Sequence, residues 1–203
     1  MSTTYAWPTG REWEPHSTTV PVLMPNVREF TSQYSGAYQT IDRMGERFKQ
    51  TLRLGPLKGA TRAAARQAYF NKLRGANFIA AHCFRMPAPN GTQRGTPTLN
   101  AAVAQGALTL PLANCTNGAT LLSGDILGIG GEWFMVADAI TFSGTTGTVN
   151  VCNRVRNAAG FSSGAAVTWD KPITTWRVSG LPVEVLCVPG QLADGVEVEL
   201  IQI

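Results

Sequence analysis

The chain has 203 residues, with 17 Lys and Arg against 13 Asp and Glu, a formal net charge of +4. Hydrophobic residues make up 44%, enough for a core, which excludes a disordered chain. Charged residues make up only 15%, against roughly 25% in an average soluble domain, so the surface points to covering partners rather than to a free enzyme.

Taken in order, the N-terminus MSTTYAWPTGREWEP lacks a basic segment followed by an apolar run and does not read as a signal peptide. Thr19 to Met24 is β-branched and apolar, with Pro21 and Pro25 marking an edge or a bulge. Tyr38 to Arg43 follows the turn-like Tyr34-Ser35-Gly36, and Gly45 is expected to turn the chain into a strand over Arg47 to Leu54. There Phe48, Gln50, Leu52 and Leu54 alternate with Lys49, Thr51 and Arg53, the period of two that a half-buried strand requires. One helix is expected, capped by Thr61, running over Ala63 to Arg74 and closed by Gly75. Its apolar stripe is read as Ala65, Tyr69 and Leu73 with Phe70 beside them, and Arg62 and Arg66 share a neighbouring face. Asn77 to Phe84 returns to strand character.

Residues 86–97, MPAPNGTQRGTP, carry every local signal of a linker. Beyond it, residues 98–170 read as an inserted small β-domain, with short strands at Ala107–Leu112, Ile126–Ile129, Glu132–Ala137, Gly147–Val151 and Ala165–Trp169. Gly130-Gly131 suits a tight hairpin turn. After Asp170-Lys171-Pro172 come strand-like stretches at Thr174–Ser179, Val183–Val188 and Gly195–Ile203. About thirty residues are too few for a domain of their own. The expected layout is therefore a mainly-β chain: residues 1–97 and 171–203 form one β-barrel or sandwich domain with one α-helix, interrupted by an inserted β-barrel at 98–170.

No catalytic motif survives its context. Gly160-Phe161-Ser162-Ser163-Gly164 has the GxSxG spacing, but a strand is expected after it and both histidines, His16 and His82, precede it, so it reads as a turn. His82 and Cys83 are adjacent, and on a strand they point to opposite faces. Cys83, Cys115, Cys152 and Cys187 are too far apart for a CxxC site and read as small hydrophobes, with no metal or cofactor expected. Residues 1–94 hold 13 of the Lys and Arg against 5 acids. Lys49, Arg53, Arg62, Arg66 and Arg74 are the candidate contacts to acidic protein surfaces, with nucleic acid as the alternative partner. Trp133 and Trp169 are the candidate stacking platforms if the insertion binds carbohydrate. No apolar run is long enough to span a membrane.

The order SGAYQTIDRMGERFKQTLRLGPL, an Ala/Arg-rich helix ending in Leu73-Arg74-Gly75, and NFIAAHCF resembles the ring domain of siphophage distal tail proteins. Trp7-Pro8 resembles the family's opening segment, and Gly45 and Phe48 its strand pair around a Gly and an aromatic. In LSGDILGIGGEWFMVADA, the positions Gly124, Asp125, Gly130, Gly131, Trp133 and Val136 resemble its peripheral β-domain; Asn153-Arg154-Val155-Arg156 and Gly164-Ala165-Ala166-Val167 continue the match. The position of Phe48 is often Trp in that family, and the C-terminal end here is short. The resemblance implies a non-enzymatic virion protein of the phage tail tip, assembled in the host cytoplasm. It implies a homo-hexameric ring joining the tail tube protein to the tail hub protein, with the tape-measure protein near and DNA only in transit. The alternative expectation is a module binding host-surface carbohydrate through residues 98–170.

Overall fold

A computed structural model describes residues 2–180, 183–186 and 192–203, the side chain of Leu192 excepted. The fold is mainly β, and among the described residues there is one α-helix. The first half of the chain contains β1 (Thr4–Ala6), β2 (Pro15–Thr18), β3 (Val22–Thr31), β4 (Tyr38–Leu54), β5 (Leu57–Lys58), α1 (Ala60–Lys72) and β6 (Phe78–Ala81). Then come β7 (Thr98–Leu99), β8 (Thr109–Ala113), β9 (Thr120–Leu121), β10 (Ile126–Ile129), β11 (Glu132–Met135), β12 (Ile140–Thr141) and β13 (Gly147–Asn150). The last are β14 (Thr174–Ser179), β15 (Leu192–Ala193) and β16 (Val196–Gln202).

Two compact units divide the chain. One takes residues 1–22, 48–85 and 173–203, and the other takes residues 23–47 and 86–172. The main sheet runs β1-β6-β14-β16-β4-β2, with β3 pairing β4 beside that path. The C-terminal strand is central to it: β16 pairs β4 from Val196↔Leu54 to Ile201↔Lys49 and pairs β14 on its other side. Alternation explains why. Phe48, Gln50, Leu52 and Leu54 of β4 and Val196, Val198, Leu200 and Gln202 of β16 are all buried, facing one core with Trp176, Phe70 and Ile79. Each large apolar side chain buried there is worth about 1.5–3 kcal/mol.

The helix differs from expectation at its start and in its buried face. Its N-cap is Gly59, at φ 94° and with no side-chain cap, and Thr61 lies inside the first turn. The C-terminal glycine, Gly75, does take the left-handed conformation at φ 73°. The buried stripe is Ala63, Arg66, Phe70 and Leu73, whereas Ala65 is exposed and Tyr69 half-buried. Arg66 can lie on that stripe because backbone carbonyls meet its guanidinium. Gln67 acts as a short strand mimic: its Nε2 donates to Val183 O at 2.9 Å, and its Oε1 accepts from Val185 N at 2.8 Å. Residues 183–186 form no strand, and the rest of the expected strand to Val188 lies outside the described residues.

Gly45 does not end a strand. β4 runs unbroken for 17 residues, passing Gly45 at φ 120°, a value that L side chains rarely adopt. The stretch at 86–97 is not a free linker either. Asp125, fully buried, accepts hydrogen bonds from Asn90 N, Gly91 N and Leu122 N at 2.7, 3.1 and 2.8 Å, and Gln93 Oε1 accepts one from Thr116 N. Gly91 lies so close to the backbone of Thr120 that a Cβ there would stand 2.2 Å from its carbonyl oxygen. The second unit accordingly begins at Met86, and takes in residues 23–47 as well. Chain entry and exit meet where Lys171 N donates to Pro87 O at 2.6 Å. Its core is Leu99, Leu110, Leu112, Leu121, Leu127, Ile129, Phe134, Val136, Phe142 and Val149 with their neighbours. Gly130 and Gly131, at φ 57° and 86°, make the β10–β11 turn. The expected strand at Ala165–Trp169 is reduced to isolated bridges, Thr98↔Ala166 and Gly128↔Thr168.

Candidate assembly surfaces

The five candidate basic contacts have separate fates. Lys49 and Arg53 stand on the outer side of β4 and are neutralised across the ladder by Glu199 at 2.7 Å and Glu197 at 2.9 Å. Exposed pairs of this kind are worth little in stability. Their effect is local: Lys49 holds the Glu199 carboxyl below its ordinary pKa. Arg62 and Arg74 are exposed and make no ion pair among the described residues. Arg66 is a correction. It is 1% exposed and therefore no surface contact; its guanidinium donates to Gly55 O at 2.7 Å and to Glu12 O, and lies 5.8 Å from the Trp13 ring centroid. Burial lowers its pKa. The physical reason is geometric: a planar donor fork ties the 3-10 turn at Arg11–Trp13 to the turn after β4.

The carbohydrate candidates also separate. Trp133 has no exposed surface and donates Nε1–H to Pro172 O at 2.8 Å, so it is a core residue and offers no face to a sugar. Trp169 is half-buried, donates to Gly95 O, and carries the Arg94 guanidinium 5.0 Å from its ring centroid.

The GxSxG segment is a loop. Ser162 and Ser163 are exposed, and Ser163 Oγ donates to Asn100 O at 3.1 Å. His82 packs its ring 4.6 Å from Phe84, and Cys83 is fully buried. Among the described residues no three His, Cys, Asp or Glu converge to hold a metal ion. Burial pushes the Cys115 thiol up to about 11, and burial with nearby Asp138 raises that of exposed Cys152. Cys187 lies outside the described residues.

Two features went unread in the sequence. The first is the ribbon of β3 and β4 on either side of Ser32–Ala37. Every residue from Phe30 to Met44 except Ser32 is exposed, so no layer covers either face. Tyr34 is fully exposed, and Phe30, Tyr38 and Met44 are 48%, 59% and 53% exposed. Its root is fixed by Arg154, which bonds Asp42, pairs with Glu46 at 3.1 Å, and offers its backbone N–H to Glu46 at 2.9 Å. The hydrogen bond from Arg154 holds the Asp42 carboxyl below its ordinary pKa. A sequence signal was present: the aromatics Phe30, Tyr34 and Tyr38 cluster around the turn-like Ser35-Gly36, where a solvated turn calls for polar residues.

The chain matches no protein-family model and no curated protein.

The second feature is an aromatic cluster on the first unit. Trp7 packs edge-on against Trp13 and Tyr69 at 6.2 and 6.3 Å, and Trp13 against Tyr69 at 5.0 Å. Trp7 Nε1 donates to Trp13 O and Tyr69 Oη to Ala6 O, at 3.0 and 3.1 Å. Burial raises the Tyr69 pKa far above its ordinary value. No helix among the described residues is long and apolar enough to cross a membrane.

Proposed function

We propose that this chain is a structural protein of the tail tip of a long-tailed bacteriophage. In that reading it forms a hexameric ring that joins the tail tube to the hub and lets DNA pass at ejection. The observation that carries an assembly role is the ribbon at residues 30–44. A two-stranded ribbon with both faces in water is marginal by itself, and its aromatic residues demand a partner surface. The low charge of the chain and the resemblance of its motif order to distal tail proteins support the phage setting. Closure into a ring limits what would otherwise be an open-ended head-to-tail contact. The role is non-catalytic in this reading, with no resident metal or cofactor. The carbohydrate-binding alternative has lost Trp133 to the core and rests on Trp169 alone.

Native mass spectrometry of the purified protein, alone and with tail tube and hub proteins, tests the proposal. A six-fold species is expected. A strict monomer in all mixtures would overturn it.

A further inference from the structure

From residue 47 to residue 124 the chain contains ten Lys and Arg and no Asp or Glu. Several of these cations are already engaged. Lys49 and Arg53 are paired with glutamates, Arg66 is buried on carbonyls, and Arg94 lies over Trp169. Lys58, Arg62, Lys72, Arg74 and Arg85 are exposed and make no ion pair among the described residues. On α1 the residues Arg62, Ala65, Tyr69 and Lys72 follow one another at helical spacing, so they share a stripe beside the buried face. Ala65 is exposed and Tyr69 is half-buried, and Tyr69 leads into half-buried Trp13 and Trp7. The result is an aromatic and small-residue centre with cations at both ends of the helix. Glu12 and Glu14 flank Trp13 off the helix, and both are exposed and line a cleft of about 290 Å³ together with Arg11, His16 and Arg66.

We infer that this face of α1, centred on Ala65, Tyr69 and Trp13 and rimmed by Arg62, Lys72 and Arg74, docks an acidic protein segment that presents an apolar side chain at its middle. Charge complementarity sets the sign of the partner, since nothing acidic on the helix neutralises the rim. The centre-and-rim arrangement sets its class. Trp, Tyr and Arg dominate the energetic centres of protein interfaces, with polar groups around them. A single-stranded nucleic acid would need aromatic faces free for stacking. Here the rings meet edge to face within the cluster, and the Trp7 indole N–H and the Tyr69 hydroxyl are bonded to backbone. The inference takes from the proposed function only that the chain is an assembly component.

The probe is a random-peptide display library selected against the full-length protein, with a 20-base-pair DNA duplex as a second ligand. Acid-rich peptides bearing Leu or an aromatic should be enriched, and their binding should fall at least tenfold on Arg62→Glu/Lys72→Glu. Ala65→Tyr, which fills the centre without touching the core, should weaken them as well. Circular dichroism of both variants should match the parent, because all three substituted side chains are exposed. No enrichment, or peptides that bind the variants equally, would overturn the inference. So would a duplex bound more tightly than any peptide and released by the same substitutions. A six-fold ring that ignores the peptides refutes this surface alone, and a monomer that binds them refutes the ring alone.

Discussion

At the scale of single residues, three buried polar side chains separate what burial costs from what partners return. Arg66 and Asp125 are both buried and both meet backbone groups, the first as donor to two carbonyls and the second as acceptor from three N–H groups. Gln50 is buried, and among the described residues neither of its side-chain polar atoms has a hydrogen-bond partner. Opposite signs are therefore expected. Arg66→Met should lower stability by about 2–4 kcal/mol, leaving two carbonyls without their charged donor. Asp125→Asn keeps the shape but loses acceptor capacity, and should cost about 1–3 kcal/mol. Gln50→Leu removes an unsatisfied amide and should raise stability by about 1 kcal/mol. Urea titration of the three variants measures all of it. A Gln50→Leu protein less stable than the parent would mean that the amide has a role in the folded core.

At the scale of elements, the ribbon of β3 and β4 and the strand β16 answer to different forces. The ribbon root depends on Arg154. Its bond holds the Asp42 carboxyl below the ordinary value, so this stabilisation is complete above that value and is lost as pH falls through the lower folded one. Trypsin should cut at Arg28 and Arg43 faster in Arg154→Ala than in the parent at neutral pH, without unfolding the rest. Pepsin, at a pH below the depressed value of the folded Asp42 carboxyl, should reach the parent's ribbon as readily as that of the variant. Equal tryptic rates would show that the clamp is ornamental. For β16 the expectation is global. It bridges β4 and β14 and buries Val196, Val198 and Leu200, so deleting residues 195–203 opens two strand edges at once. Aggregation on expression is expected, read as loss of soluble protein and of the β-sheet circular dichroism signal.

At the scale of the whole molecule, the boundary of the second unit decides which deletion is clean. A cut at 98–170, drawn from composition, removes Asp125 and strands Asn90 and Gly91, and it removes Arg154 from the ribbon root. Replacing residues 86–172 while also trimming residues 23–47 to a short turn removes the second unit without such remnants. The second design should be the more soluble and should unfold in one cooperative step, as followed by tryptophan fluorescence. A better-behaved 98–170 deletion would show that the strap at 86–97 is dispensable.

Much of this architecture was written in local pattern. Period-two alternation located β4 and its buried face, down to Gln50 among the apolar residues, and strand character located β16. Gly130-Gly131 announced its turn, Gly75 the end of α1, and the spread of short strands a mainly-β chain with one helix. Local pattern works there because strand alternation and positive φ are properties of adjacent residues. What it could not decide depended on groups distant in the chain. Arg66 became a core residue because the carbonyls of Glu12 and Gly55 reach it, and Trp133 because Pro172 accepts its N–H. Residues 86–97, composed like a linker, became a strap because Asp125 satisfies their backbone from more than thirty positions away. Polarity in a sequence states what a side chain needs. Only the tertiary structure decides whether water or the protein itself supplies it.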